Sequence, residues 1–246
     1  MNMRKWSFIL LSMVVVSMVP TLQSCDDDGY SLGDFVIRMA TVRAIGGNTY
    51  YLEIDNGKKL WPAATNIPMY RPTDGQRVIA DFTLLADNFQ GYDHAIKVNY
   101  LYDVRTKMVE TLEAGSEDTF GDDPVLITDI WVGSKYLNVE FNINLPVNKR
   151  HSVHLIRNDN ITDPGDGYTY LEYRYNTNSD VSGYWASTMV SFNLGEYGPG
   201  SVYKGIKVRI NSAKNGVREL TFDFPADNPD PKEIENTDEY VGEKIE

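Results

Sequence analysis

Apolar and polar residues alternate with a period of two along most of the chain, in short runs separated by turn residues. In Tyr50-Tyr51-Leu52-Glu53-Ile54-Asp55, Tyr50, Leu52 and Ile54 share one face. Asn56-Gly57 follows, and a type I′ turn needs φ > 0 at both central residues, so this pair predicts a hairpin returning through Lys59 to Trp61. Pro72-Thr73-Asp74-Gly75 is a turn that feeds a strand from Gln76 to Ala86, with Val78, Ala80, Phe82 and Leu84 facing one way. After a break at Asn88 to Gly91, the run His94 to Val104 sets Ile96, Val98, Tyr100 and Tyr102 against Lys97, Asn99 and Asp103. Phe35 to Ile45 reads as a further strand at the start.

These five strands, within residues 34–114, are the number of a small closed barrel of the OB type. The polar stretch 115–124 has almost nothing to bury and reads as a linker. Beyond it, Leu126 to Val132 and Lys135 to Ile143 flank Gly133-Ser134, a pair suited to a type II′ hairpin. Leu137, Val139, Phe141 and Ile143 face a core, and Tyr136, Asn138, Glu140 and Asn142 face away. Further strands are expected at His151 to Arg157, Tyr168 to Tyr175, Tyr184 to Leu194, Tyr203 to Ile210 and Val217 to Phe224. Roughly seven short strands with turns between them predict a two-sheet β-sandwich over 125–226. The fold class is therefore all-β, a barrel followed by a sandwich. The acid-rich residues 227–246, with Pro229 and Pro231, read as a disordered tail.

Composition agrees with strands, because Tyr, Val, Ile, Thr and Phe outweigh strong helix formers. The net charge is −12, and loss of a leader holding Arg4 and Lys5 but no acids would take it to −14. Such a polyanion repels phosphate backbones, which argues against nucleic-acid partners, and charge alone would not draw it to an anionic bilayer. One cysteine, Cys25, excludes a disulfide scaffold and needs a reason of its own.

That reason lies in the first 24 residues. Arg4 and Lys5 precede an apolar stretch, Trp6 to Val19. As a helix it would span roughly 21 Å at about 1.5 Å per residue, short of the ~30 Å hydrocarbon core, so it reads as a cleaved signal rather than a membrane span. Leu22-Gln23-Ser24-Cys25 has the form of a lipobox, with cleavage between Ser24 and Cys25 and acylation of the Cys25 thiol. Sulfur is the nucleophile that accepts the diacylglyceryl group, and several acyl chains, palmitate among them, hold a protein stably on a membrane. The competing reading is a plain secretory signal with an incidental thiol. Asp26, Asp27 and Asp28 follow at once within an acidic tether, 25–33. They resemble the acidic run that directs some lipoproteins of Gram-negative anaerobes to the cell surface. A simple solvated tether, with the protein on the periplasmic face, or retention at the inner membrane are the alternatives.

Taken together, the lipobox with Cys25-Asp26-Asp27-Asp28, the barrel segments Leu52-Glu53-Ile54-Asp55-Asn56-Gly57 and Asp74-Gly75-Gln76-Arg77-Val78, and Ile127-Thr128-Asp129-Ile130-Trp131 at the opening of the sandwich resemble the NigD-like lipoproteins of gut and oral anaerobes. The resemblance covers nearly the whole chain. It implies an OB-like N-terminal domain and an Ig-like β-sandwich, and it associates the chain with bacteriocin immunity. It supplies no catalytic motif.

The residues themselves supply none either. His151 and His154 are three apart, which on a strand puts them on opposite faces, and His94 stands alone. No Gly-x-Ser-x-Gly, His-Glu-x-x-His or P-loop pattern occurs. Asp163-Pro164-Gly165-Asp166-Gly167, with Asp159, could offer oxygens to Ca²⁺ but lacks EF-hand spacing and reads as a turn. Tyr168 and Tyr170 share one strand face, and Leu171, Tyr173 and Tyr175 the other, so one aromatic face should look outward, where it could stack on sugar or anchor a protein. The expectation is a non-enzymatic outer-membrane lipoprotein with no cofactor and no metal, bound to the membrane through Cys25. Its partner would be an envelope protein, with a glycan-binding or glycan-processing component as the alternative.

Overall fold

Strand-forming alternation organises nearly all of the computed structural model, which describes residues 35–113, 117–145, 148–160, 164–180 and 183–224. The leader, Cys25 with Asp26 to Asp28, Asp163 and the acidic tail lie outside the described residues. Five strands, β1 (Val36–Gly46), β2 (Thr49–Ile54), β3 (Lys59–Thr65), β4 (Arg77–Phe89) and β5 (Tyr92–Asp103), close a barrel in the order β1-β2-β3-β5-β4. Only β3 and β5 run parallel. The barrel interior is built from Ala40, Val42, Leu52, Leu60, Val78, Ala80, Phe82, Ile96 and Val98.

The remaining strands are β6 (Arg105–Met108), β7 (Glu110–Leu112), β8 (Leu126–Gly133), β9 (Tyr136–Leu145), β10 (Ser152–Asn158), β11 (Tyr168–Asn176), β12 (Tyr184–Asn193), β13 (Gly205–Ser212) and β14 (Gly216–Asp223). They form a five-stranded sheet, β14-β13-β11-β10-β7, and a four-stranded sheet, β6-β12-β9-β8. Leu137, Val139, Phe141 and Ile143 meet Val153, Leu155, Leu171, Tyr173, Val190 and Phe192 in the core between them.

Two segments differ from the sequence expectation. The barrel does not extend to residue 114, because β6 pairs in parallel with β12 and β7 with β10. These strands are too short to show an alternation, and the free sheet edges recruit them. Nor is 115–124 a free linker. Within it, Glu117–Phe120 makes a helical turn and the next residues cross the outer face of the five-stranded sheet. Arg209 donates through both terminal nitrogens to Asp122 at 2.9 and 2.7 Å, and Asn211 Nδ2 donates to the Asp122 carbonyl at 2.7 Å. Asp123 accepts from the Thr177 amide at 2.8 Å and its hydroxyl at 2.5 Å. Asp122 and Asp123 of this strap are bound to polar groups of that sheet and its edge, a partnership that local hydrophobicity cannot reveal.

A bulge changes the end of β5. Val98 pairs with Phe82 and Tyr100 with Asp81, so Asn99 is an extra residue. Leu101 therefore turns inward, while Tyr100 and Tyr102, expected alongside Val98, stack on each other outside the barrel with centroids 4.4 Å apart.

The outer face of β1 and β4 is buried as well, against the sandwich. Ile37, Met39, Ile79 and Val104 join Met189, with Tyr102 and Trp131 packed around them. At the edge of this cluster lies Arg77, with no solvent exposure. Its guanidinium donates to both carboxylate oxygens of Asp55 at 2.7 and 3.1 Å, to Thr41 Oγ1 at 3.1 Å and across to Asn138 Oδ1 of the sandwich at 3.2 Å. It also lies 4.3 Å over the Tyr136 ring, and Ser191 Oγ donates to the same Asn138 oxygen at 2.6 Å. A planar fork facing a carboxylate is the geometry in which a buried ion pair is best compensated.

Both predicted hairpin turns are displaced by this junction. Of Asn56-Gly57 only Gly57 has a positive φ, 86°, and its amide donates to the Ile54 carbonyl, so the turn includes Asp55. In the second hairpin Ser134 has the positive φ, 51°. Gly133 instead ends β8 directly against the barrel, where a Cβ would lie 2.2 Å from Asp55 Oδ2.

Candidate binding site at the open end of the barrel

The two ends of the barrel differ. At one end the β3–β4 connection folds over the interior, placing Ile67 and Tyr70 on the core. Asn66 donates its amide to the Val98 carbonyl at 2.8 Å, and Tyr70 meets Tyr50 edge-on with centroids 5.4 Å apart. Burial in this plug pushes the Tyr50 hydroxyl up to about 12 and raises that of Tyr70, to which the nearby Asp103 and Tyr50 contribute further. This end is dry.

The other end is open. A cavity of about 300 Å³ enters the barrel between Val36, Ile54, Leu60, Phe82 and Leu84, with Arg38, Asn56, Lys58 and His94 around it. The floor is apolar because these strands continue the interior face to their ends. The polar rim has a similar origin. Arg38 has the same parity as Val36, Ala40 and Val42, and His94 that of Ile96 and Val98, so both occupy interior positions where the barrel opens. His94 Nδ1 lies 2.5 Å from Asp87 Oδ1, Arg38 Nη1 donates to the Ile37 carbonyl at 3.0 Å, and the Lys58 amide donates to Asn56 Oδ1 at 3.0 Å. Among the described residues no acid lines the cavity, although the chain as a whole carries −12. An apolar cavity with a few convergent polar groups at a barrel mouth is the usual form of a small-ligand site. A larger depression, about 820 Å³, lies where the chain leaves the barrel, but it is open and its walls include the Lys107–Glu110 pair, 3.7 Å apart.

Sequence reasoning missed Arg38 and grouped His94 with ordinary strand residues. The signal was present as a cation and an imidazole in register with core positions. A single strand does not show which end of a barrel is plugged, and that decides their role.

The other residues singled out from the sequence are spent on the fold. His151 is buried, with Nδ1 2.7 Å from the Tyr175 hydroxyl and Nε2 2.9 Å from the Asp180 carbonyl. His154, on the opposite face, sits 2.8 Å from Glu110 Oε1 and edge-on to Phe120. Burial lowers its pKa below the usual 6.5 despite Glu110, and Lys107 adds to the lowering. Tyr168 and Tyr170 do face outward, but Tyr168 donates to Asp223 at 2.6 Å and Tyr170 to Asp166 at 2.8 Å. Lys204 Nζ lies 4.3 Å from the Tyr168 centroid and Lys207 Nζ 4.9 Å from that of Tyr170. Lys207 also donates to Asp166 at 2.7 Å, and together with Tyr170 it holds the Asp166 carboxyl down at about 2. These rings are already covered by cations. Of the possible calcium turn, Asp166 is engaged as described and Asp159 pairs with Arg157 at 3.0 Å. Among the described residues no three His, Cys, Asp or Glu side chains converge to hold a metal ion. No helix among them is long and apolar enough to cross a membrane.

A five-stranded barrel of OB order joined to a nine-stranded sandwich defines a two-module β protein. Residues 39–104 match the NigD-like N-terminal OB domain, and residues 107–224 match the NigD-like C-terminal beta sandwich domain. The chain belongs to the NigD-like family. A protein of unknown function from Bacteroides vulgatus is 31% identical, with 87% of this chain and 100% of that one covered and a TM-score of 0.76. A protein described as toxin related, from Parabacteroides distasonis, is 35% identical, with 79% and 96% covered and a TM-score of 0.67. A NigD-like immunity protein from Bacteroides caccae shares the fold at 20% identity, with 78% and 97% covered and a TM-score of 0.60. No curated protein matches the chain.

Proposed function

We propose that this protein is a lipid-anchored cell-envelope lipoprotein that works by binding rather than catalysis. The observation that carries the binding role is the barrel mouth, a cavity of about 300 Å³ with an apolar floor and polar rim, none of whose side chains form a nucleophile–base pair. The lipobox around Cys25 supports the anchor, and Asp26, Asp27 and Asp28 support display on the outer face of the outer membrane. Bacteriocin immunity is the narrower form of this reading, supported by family membership and by the Bacteroides caccae relative. An immunity protein of this kind would act by capturing the toxin or its receptor at the envelope.

Protease added to intact cells should digest the wild-type protein, and Cys25→Ser should move it out of the membrane fraction. Full protection from protease would place it on the periplasmic face instead. Deletion should sensitise the strain to a bacteriocin encoded beside the gene, and unchanged sensitivity to every such bacteriocin removes the immunity form.

One observation favours a second reading, glycan binding. Trp185 is 56% exposed at the start of β12, directly opposite Asn144 on β9. An exposed indole beside an amide can stack on a sugar ring and hydrogen-bond its hydroxyls. A polysaccharide panel tests this, with retention lost in Trp185→Ala as the expected result and turnover of any glycan as the result that overturns the non-enzymatic role.

A further inference from the structure

We propose that the exposed end of the four-stranded sheet binds a short uncharged oligosaccharide, laid along β9 with one ring stacked on Trp185. This rests on the glycan-binding reading above and adds the rest of the site and the class of sugar.

Strand parity sets the face. Phe141, Ile143 and Leu145 of β9 and Val190 and Phe192 of β12 are buried in the sandwich core. Asn142 and Asn144 therefore point outward, beside Ser187 and Trp185, their direct partners across the β9–β12 ladder. β8 begins at Leu126, opposite Asn142, so Asn144 has an open flank. Among the described residues neither asparagine hydrogen-bonds through its side chain. Each offers an amide donor and a carbonyl acceptor to solvent. Glu140, next in the row, accepts from Ser187 Oγ at 3.1 Å through one oxygen, which leaves the other to accept from a ligand. A pyranose ring matches this row, with an apolar face for the indole and neighbouring hydroxyls that both donate and accept.

From Glu140 to Asn144 the row is about 13 Å long, the length of a short oligosaccharide. Beyond Glu140, Asn138 and Ser191 are buried and Met189 packs in the cluster shared with the barrel. The row is closed there, so a bound chain can continue only past Trp185. Charge decides the class of sugar. β8, β9 and β12 carry Asp129 and Glu140 but no Lys or Arg. The cations of this sheet, Arg105 and Lys107, stand on β6 opposite Val190 and Phe192, toward the barrel. An acidic glycan would meet like charge in this row, and a neutral one would not.

The test is titration calorimetry on the full acylated chain in neutral phosphatidylcholine nanodiscs. The probes are hexasaccharides of glucose, mannose and galactose, each set against the hexasaccharide of its own uronic acid. At least one neutral probe should bind, and its uronic acid should bind at least about fivefold more weakly. Trp185→Ala should weaken the neutral probe about tenfold, and Asn142→Ala and Asn144→Ala about fivefold each. Tyr184→Ala removes an equally exposed ring of the opposite parity and should leave binding unchanged. A uronic acid bound as tightly as its neutral counterpart, and still dependent on Trp185, would overturn the uncharged class while leaving the glycan-binding reading intact. Binding that needs Trp185 but is indifferent to both asparagines would overturn the row as the site. Binding of none of the probes would overturn the reading and this proposal together.

Discussion

At the scale of single residues, the junction between the modules rests on Arg77, a cation with no solvent exposure whose fork is filled by Asp55. A buried ion pair adds little over an apolar pair of the same shape, but removing one partner strands the other without water. Asp55→Ala should therefore cost about 3–5 kcal/mol of unfolding free energy, measured by urea denaturation. Combining it with Arg77→Met should recover part of that loss. Gly133→Ala should also destabilise, by about 1–3 kcal/mol, because the added methyl meets the Asp55 carboxylate. An unchanged midpoint would mean that the modules can separate at this point without cost. The sequence reading places Asp55 at the end of a strand and Gly133 in a turn, and local pattern accounts for both residues. Their contact across 78 positions of chain is invisible to any local pattern.

At the scale of elements, alternation made most strands legible. Leu137 to Ile143 carries an unbroken period of two, and β9 follows it from Tyr136 to Leu145. What could not be read was where a second partner buries the other face. Tyr136 and Asn138, polar positions expected to face water, are covered by the barrel through Arg77. The same holds for the strap, whose Asp122 binds Arg209. Asp122→Ala should lower stability by about 1–2 kcal/mol and speed amide exchange in residues 117–124, because it removes two charge-assisted hydrogen bonds. The β7–β10 edge makes stability depend on pH through His154. Its pKa is lowered in the folded protein, chiefly by burial, so as pH falls the unfolded chain takes up the proton first. The contribution is complete above about pH 6.5 and is lost as pH falls from there through the lowered folded value. His154→Gln should flatten the change in urea midpoint between neutral and mildly acidic buffer. An identical slope in the variant would assign that dependence to other groups.

At the scale of the whole molecule, barrel and sandwich share an apolar cluster and the Arg77–Asn138 hydrogen bond, so they should unfold together. Scanning calorimetry on the full chain should give one transition, and two separable transitions would mean that the junction contributes little to stability. The open barrel end, with Arg38 and His94 at interior positions, then belongs to a fixed platform. The candidate site was only partly legible, because its residues are written in five different strands and the turn between two of them. The proposed anchor is written in one stretch, Leu22 to Asp28, and needs no fold to be read. That proposed anchor would also set where every proposed partner is met. Intact-mass measurement of the protein extracted from the membrane fraction of its own cells tests that claim most directly. The account predicts a chain beginning at Cys25 and heavier than its sequence by a diacylglyceryl group and an amide-linked acyl chain. A free thiol on a protein recovered from the medium would contradict it.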